Sequence, residues 1–189
     1  MFRRSRPDPL EQIRPDALGA RWAIPLRAAL VSRQRFGQLV TGVGPGPVRT
    51  HLDELSAEVD AAVLAAWERA QQADRVEATL TGLDLTTASD RLKAARRTHG
   101  ELVGRGATDA DLAASSAAVG QEAERFATLN RLVNELDDLS DRLGRLAADL
   151  DATIAAAAEL TLAQSPSDPS LAPVAARVSA LRAAFDELG

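Results

Sequence analysis

The side chains best suited to chemistry are few in this sequence. The 189-residue chain has two histidines, His51 and His99, and no cysteine. Without thiols there is no disulfide framework, no thiolate metal site and no cysteine nucleophile. Neither histidine follows a glutamate or aspartate by three or four residues, so the Glu-x-x-His pairs that a di-iron bundle needs twice are missing. Each is expected to be a solvent-facing helix residue. Glu135 to Arg142, ELDDLSDR, packs four acids together, but it lacks the glycine turn and alternating oxygens of a calcium loop, and leucines interleave its acids. Ser115, Ser116, Ser140 and Ser179 are embedded in helical pattern, none on a sharp turn beside a histidine as an activated serine requires. The glycine-rich TGVGPGP, Thr41 to Pro47, lacks the Lys-Ser/Thr that completes a phosphate-binding loop, and no strand precedes it. These patterns predict no catalytic residue, no cofactor, no metal ion and no small-molecule substrate.

The elements that carry these residues read as helices. There is no Tyr, and the four Phe and two Trp are too few for a sheet-rich core, so the chain is expected to be all-α. From Leu129 to Leu150, LNRLVNELDDLSDRLGRLAADL, seven leucines recur at steps of three and four, the 3.5-residue period of a seam buried against another helix. Upstream, Leu52, Leu55, Val59, Ala62 and Ala66 follow the same rhythm, Arg69 breaks it, and Ala73 resumes it. The pattern weakens at TGLDLTTASD, and a second short helix, SDRLKAARRTHGELV, follows. Beyond it Thr108 is expected to cap a long helix whose first turn favours Asp109 and Asp111.

Punctuation divides the chain. Residues 1–15 form a Pro/Arg-rich leader, and 16–43 an N-terminal helix kinked or restarted at Pro25, which has no N–H to give. Residues 47–164 are expected to form a long antiparallel helical hairpin, a coiled-coil stalk, with its tip near 104–107 and Pro47 as helix opener. Each arm would run ~85 Å at the α-helical rise. Gly120 and Gly144 each cost about 1 kcal/mol against alanine inside such an arm, which implies either close approach of another helix or local pliability. Residues 165–170 are a linker. A C-terminal helix over 171–189, with Leu171, Val174, Val178, Leu181, Phe185 and Leu188 on one face, would dock with the N-terminal helix on the base of the hairpin as a helical bundle.

Charge is asymmetric. Residues 1–40 carry eight Arg against Asp8, Glu11 and Asp16, whereas the net charge of the whole chain is −5. Arg3, Arg4 and Arg6 are the candidate contacts to an anionic membrane surface. The acidic body would repel duplex DNA, so no nucleic-acid partner is expected. No apolar stretch is long enough to span a bilayer, and the basic start lacks the apolar region of a secretory signal, so the expected location is cytoplasmic or peripheral at the membrane inner face.

The function expected from this pattern is that of a non-catalytic scaffold or adaptor, acting on a protein partner or by homo-oligomerisation, most simply as a dimer. Val133, Ala147 and Ile154 flank the leucine seam and Trp67 lies beside the upstream one, which makes them the candidate partner or self-association surface. A peripheral membrane protein of membrane-stress or membrane-remodelling type is the alternative. The plan of a short basic N-terminal segment, a long helical hairpin and smaller helices resembles, in architecture alone, the phage-shock and vesicle-forming membrane-remodelling coiled-coil families, with Pro25 a departure from their N-terminal membrane helix. A dedicated chaperone or regulatory subunit is a further alternative.

Overall fold

The computed structural model describes residues 9–82 and 84–162, and among these there are helices and turns but no strand. Two short 3-10 turns, Pro9–Gln12 and Pro15–Ala17, precede α1 (Ala20–Gly42), α2 (Pro47–Leu80), α3 (Leu85–Gly104) and α4 (Asp109–Leu162). The segments expected to form the linker over 165–170 and the C-terminal helix over 171–189 lie outside the described residues. The chain divides into two compact units, one built from residues up to Asp74 together with those from Leu139 onward, the other from Arg75–Asp138.

In the first unit α1 begins at Ala20, four residues later than the sequence pattern places it, because Leu18 is extended and Gly19 serves as the N-cap. Gly19 has no side chain to cap with, and the compensation is tertiary: its N–H donates to Asp74 Oδ1 of α2 at 2.8 Å. Pro25 lies within the continuous helix. Its missing N–H removes one main-chain bond near the helix start, a local loss that packing must offset. Arg33 Nε donates to Asp60 Oδ1 at 2.5 Å, and Arg49 Nη1 donates to the Val40 carbonyl at 2.7 Å. The three contacts pair the start of α1 with the latter part of α2, and the end of α1 with the start of α2, so the two helices run antiparallel.

The core of this unit follows the sequence periodicity. Trp22, Leu26, Ala29, Phe36 and Val40 of α1 are buried, as are Leu52, Leu55, Val59, Ala62, Val63, Ala66, Ala70 and Ala73 of α2, with Leu143, Leu146, Leu150 and Ala157 of α4. The anomaly at Arg69 has a simple origin: the seam steps from Ala66 to Ala70, a four-residue stride that keeps the guanidinium out of the core. Among the described residues Ser32 and Thr153 are the polar residues buried as a whole, and both are bonded. Ser32 Oγ donates to Asp151 Oδ1 at 2.5 Å, tying α1 to α4, and Thr153 Oγ1 donates to the Asp149 carbonyl at 2.7 Å.

In the second unit α3 starts at Leu85, not at Ser89 where the sequence pattern resumes. Asp84 is the reason: its carboxylate accepts from Thr86 N at 2.9 Å and from Thr87 N at 3.2 Å, which nucleates the first turn across the threonines. Those hydrogen bonds, that to Thr86 N first, hold the exposed Asp84 carboxyl below its ordinary pKa. The helix ends in a Schellman turn, with Ala107 N donating to the Leu102 carbonyl, Gly106 N to the Val103 carbonyl, and Gly106 at φ +66°, a left-handed conformation that glycine adopts without strain. Thr108 then caps α4 as expected, accepting from Asp111 N at 3.2 Å.

No break occurs at Gly120 or Gly144, and α4 runs on for 54 residues. A Cβ added at either glycine would meet nothing within 4 Å among the described residues, so neither marks the close approach of another described helix. Both should therefore accept alanine. Gly120→Ala and Gly144→Ala are each expected to stabilise by about 0.5–1 kcal/mol through helix propensity alone. A thermal melt of the double variant with no upward shift would contradict that reading.

Candidate interaction surfaces

Tertiary structure brings together one pair that sequence reasoning kept apart. His99 Nδ1 of α3 lies 2.8 Å from Ser115 Oγ of α4, although sixteen residues separate them and the serine sits within a regular helix. The expectation that no serine meets a histidine is thus corrected. The chain turns back on itself at the Gly106 turn, and side chains on facing surfaces meet. Ser115 Oγ also lies 3.0 Å from the Leu112 carbonyl, to which it donates. With its single proton given to that carbonyl the hydroxyl would accept from His99 Nδ1–H, whereas in the other imidazole tautomer the hydroxyl would donate to Nδ1. The pair ties α3 to α4 beyond the Gly106 turn.

His51, also half-buried, has its Nδ1 3.8 Å from Glu54 Oε2, and its buried Nε2 has no hydrogen-bond partner among the described residues. Among the described residues no group of three or more His, Asp or Glu side chains is placed to hold a metal ion. The acids of ELDDLSDR stay on the solvent side of α4, where Glu135 pairs with Arg131 at 3.5 Å. The TGVGPGP connection has a structural occupation: Arg49 donates to the Val40 and Val43 carbonyls at 2.7 and 3.3 Å, closing the orphan end of α1. Two hollows are notable. A cleft of about 90 Å³ lies at the start of α3, lined by Asp84, Thr87, Arg91 and Arg125, and an open polar hollow of about 450 Å³ lies along α1 and α2 beside Arg33, Gln34, Gln38 and Asp60. The second is lined by the Arg33–Asp60 ion pair together with Gln34, Gln38, Thr41 and Ser56, and it lies open to solvent.

The candidate partner residues fall into two classes. Val133, Ile154 and Trp67 are half-buried and keep surface to offer. Ala147 is only 8 % exposed, and Val63 and Ala70, which extend the flanking stripe on α2, are fully enclosed. That part of the stripe is consumed by the chain's own core. Arg3, Arg4 and Arg6 lie outside the described residues.

Sequence reasoning missed the large aliphatic side chains that are exposed among the described residues. Ile24 is 63 %, Val31 46 % and Val103 56 % exposed. Ile24 and Val31 are seven residues apart on α1, a heptad step that was present in the sequence but stood in the shadow of the stronger Trp22, Leu26 and Phe36 series. Compared with known protein families, curated proteins and solved structures, the chain matches none.

Proposed function

We propose that this protein is a non-catalytic helical scaffold that works by association, with α2, α3 and α4 forming a long antiparallel coiled-coil hairpin whose tip is the Gly106 turn. The observation that carries the reading is how little the second unit encloses. Among the described residues between Arg75 and Asp138, Ala88, Leu92, Leu129 and Leu136 are buried, while Leu112, Val119, Phe126, Leu132 and Val133 of α4 stay half-buried. A helix pair that leaves its apolar seam partly wet gains about 25 cal/mol for each Å² that a further helix covers. A second copy is the simplest source of that helix, and a dedicated client of a chaperone or regulatory subunit would use the same surface.

Val133→Asp combined with Ile154→Asp should leave a folded protein with an unchanged helical spectrum but lower its self-association by at least about tenfold, since each charge would lose its water on assembly. Light scattering at high micromolar concentration is the measurement. A wild-type monomer would remove self-association from the proposal, and a dimer indifferent to the double change would move the interface elsewhere, Trp67 being the next place to substitute. A second reading, a peripheral membrane protein, draws its support from the exposed aliphatic and arginine side chains of α1. No described helix is long and apolar enough to cross a membrane, so such a protein would lie on the bilayer without spanning it through these helices.

A further inference from the structure

The face of α1 opposite its core carries exposed aliphatic side chains between arginines. Ile24 and Val31, two turns apart and 63 % and 46 % exposed, form a stripe with the exposed Ala20 and Ala28. At about 100° per residue, Arg27 and Arg35 flank that stripe within roughly 50° on either side. Both arginines are exposed. α1 carries four arginines and no acidic residue at all. Two of the four are engaged elsewhere, Arg33 with Asp60 of α2 and Arg21 over the Trp22 ring at 5.0 Å. Arg27 reaches Asp16 at 2.8 Å, but with the two side chains 53 % and 84 % exposed the pair is screened and readily exchanged.

We propose that this outer face of α1 docks on an anionic bilayer surface, with Ile24 and Val31 entering the headgroup boundary and Arg27 and Arg35 meeting lipid phosphates. The inference rests on the second reading above. It places the contact on a folded helix of the bundle and not on the Arg-rich leader. A second copy fits this face poorly, because a two-fold contact would set arginine against arginine with no carboxylate on α1 to pair them. Aliphatic burial and cation–phosphate attraction act together on the membrane, where neither alone holds a protein firmly.

The test is cosedimentation of the full chain with phosphatidylcholine vesicles, with and without phosphatidylglycerol. Binding is expected only with the anionic lipid, and it should fall as salt is raised. Ile24→Ser with Val31→Ser should weaken partitioning by at least about tenfold, since each aliphatic side chain loses most of its burial energy. Arg27→Gln with Arg35→Gln should weaken it by about fivefold per arginine. Because all four side chains are exposed, circular dichroism should be unchanged, and Val31→Trp should strengthen binding and so guard against a folding artefact. Anionic-vesicle binding that survives the serine pair but is lost with Arg3, Arg4 and Arg6 changed to alanine would overturn the α1 face while leaving the membrane reading in place. Absence of wild-type binding would overturn both. Equal binding to neutral vesicles would overturn the anionic requirement, and a serine pair that turns an oligomer into a monomer without touching lipid binding would assign the face to a second copy.

Discussion

Trp22→Ala should lower the unfolding free energy by about 3–5 kcal/mol. Trp22 is fully enclosed, on a helix that has no side-chain N-cap and has Pro25 in its second turn. α1 thus has little stability of its own, and its place depends on the surface it buries. Removing the indole opens a cavity, takes the ring from beneath the Arg21 guanidinium, and weakens the setting of the Gly19–Asp74 bond nearby. Chemical denaturation followed by far-UV circular dichroism measures the shift. A loss under about 1 kcal/mol would show that α1 is not anchored through Trp22, since enclosed tryptophans do not yield so cheaply.

The second large effect separates two leucines that the heptad makes equivalent. Leu143 is 2 % exposed, whereas Leu139, four residues earlier on the same seam, is only half-buried. Leu143→Ala should cost about 2–5 kcal/mol, cavity included, and Leu143→Asp should abolish the fold by placing an unpaired charge where water is excluded. Leu139→Ala removes a side chain whose far side already meets solvent, so about 1 kcal/mol is expected from the transfer term. Comparable losses at the two sites would mean that Leu139 is covered in solution, which a self-associated form would explain. Repeating the Leu139→Ala melt at several protein concentrations distinguishes that case, because burial across an interface makes stability concentration-dependent.

Much of this protein is determined by sequence alone, and for local reasons. Helix identity follows from composition and from the three-four stride of Leu52 to Ala73 and Leu129 to Leu150, because a 3.5-residue period offers one continuous apolar seam only to a helix. Breaks at TGVGPGP and at the Gly106 turn are equally local, set by residues that refuse helical geometry or accept φ +66°. The Thr108 cap needed no more than its neighbours to be foreseen.

What tertiary structure alone decided concerns facing surfaces. Seven leucines share one register, yet Leu143, Leu146 and Leu150 are sealed while Leu132 and Leu139 are not, because periodicity states which side of a helix is apolar and not how many neighbours cover it. The capping of Gly19 by Asp74, the closure of α1 by Arg49, and the meeting of His99 with Ser115 depend on pairings across 55, 9 and 16 residues, distances at which side-chain spacing carries no signal. The exposure of Ile24 and Val31 belongs to the same class. A helix with apolar residues on two sides can bury only the side that finds a partner in its own chain, and packing around Trp22 settled which side that was.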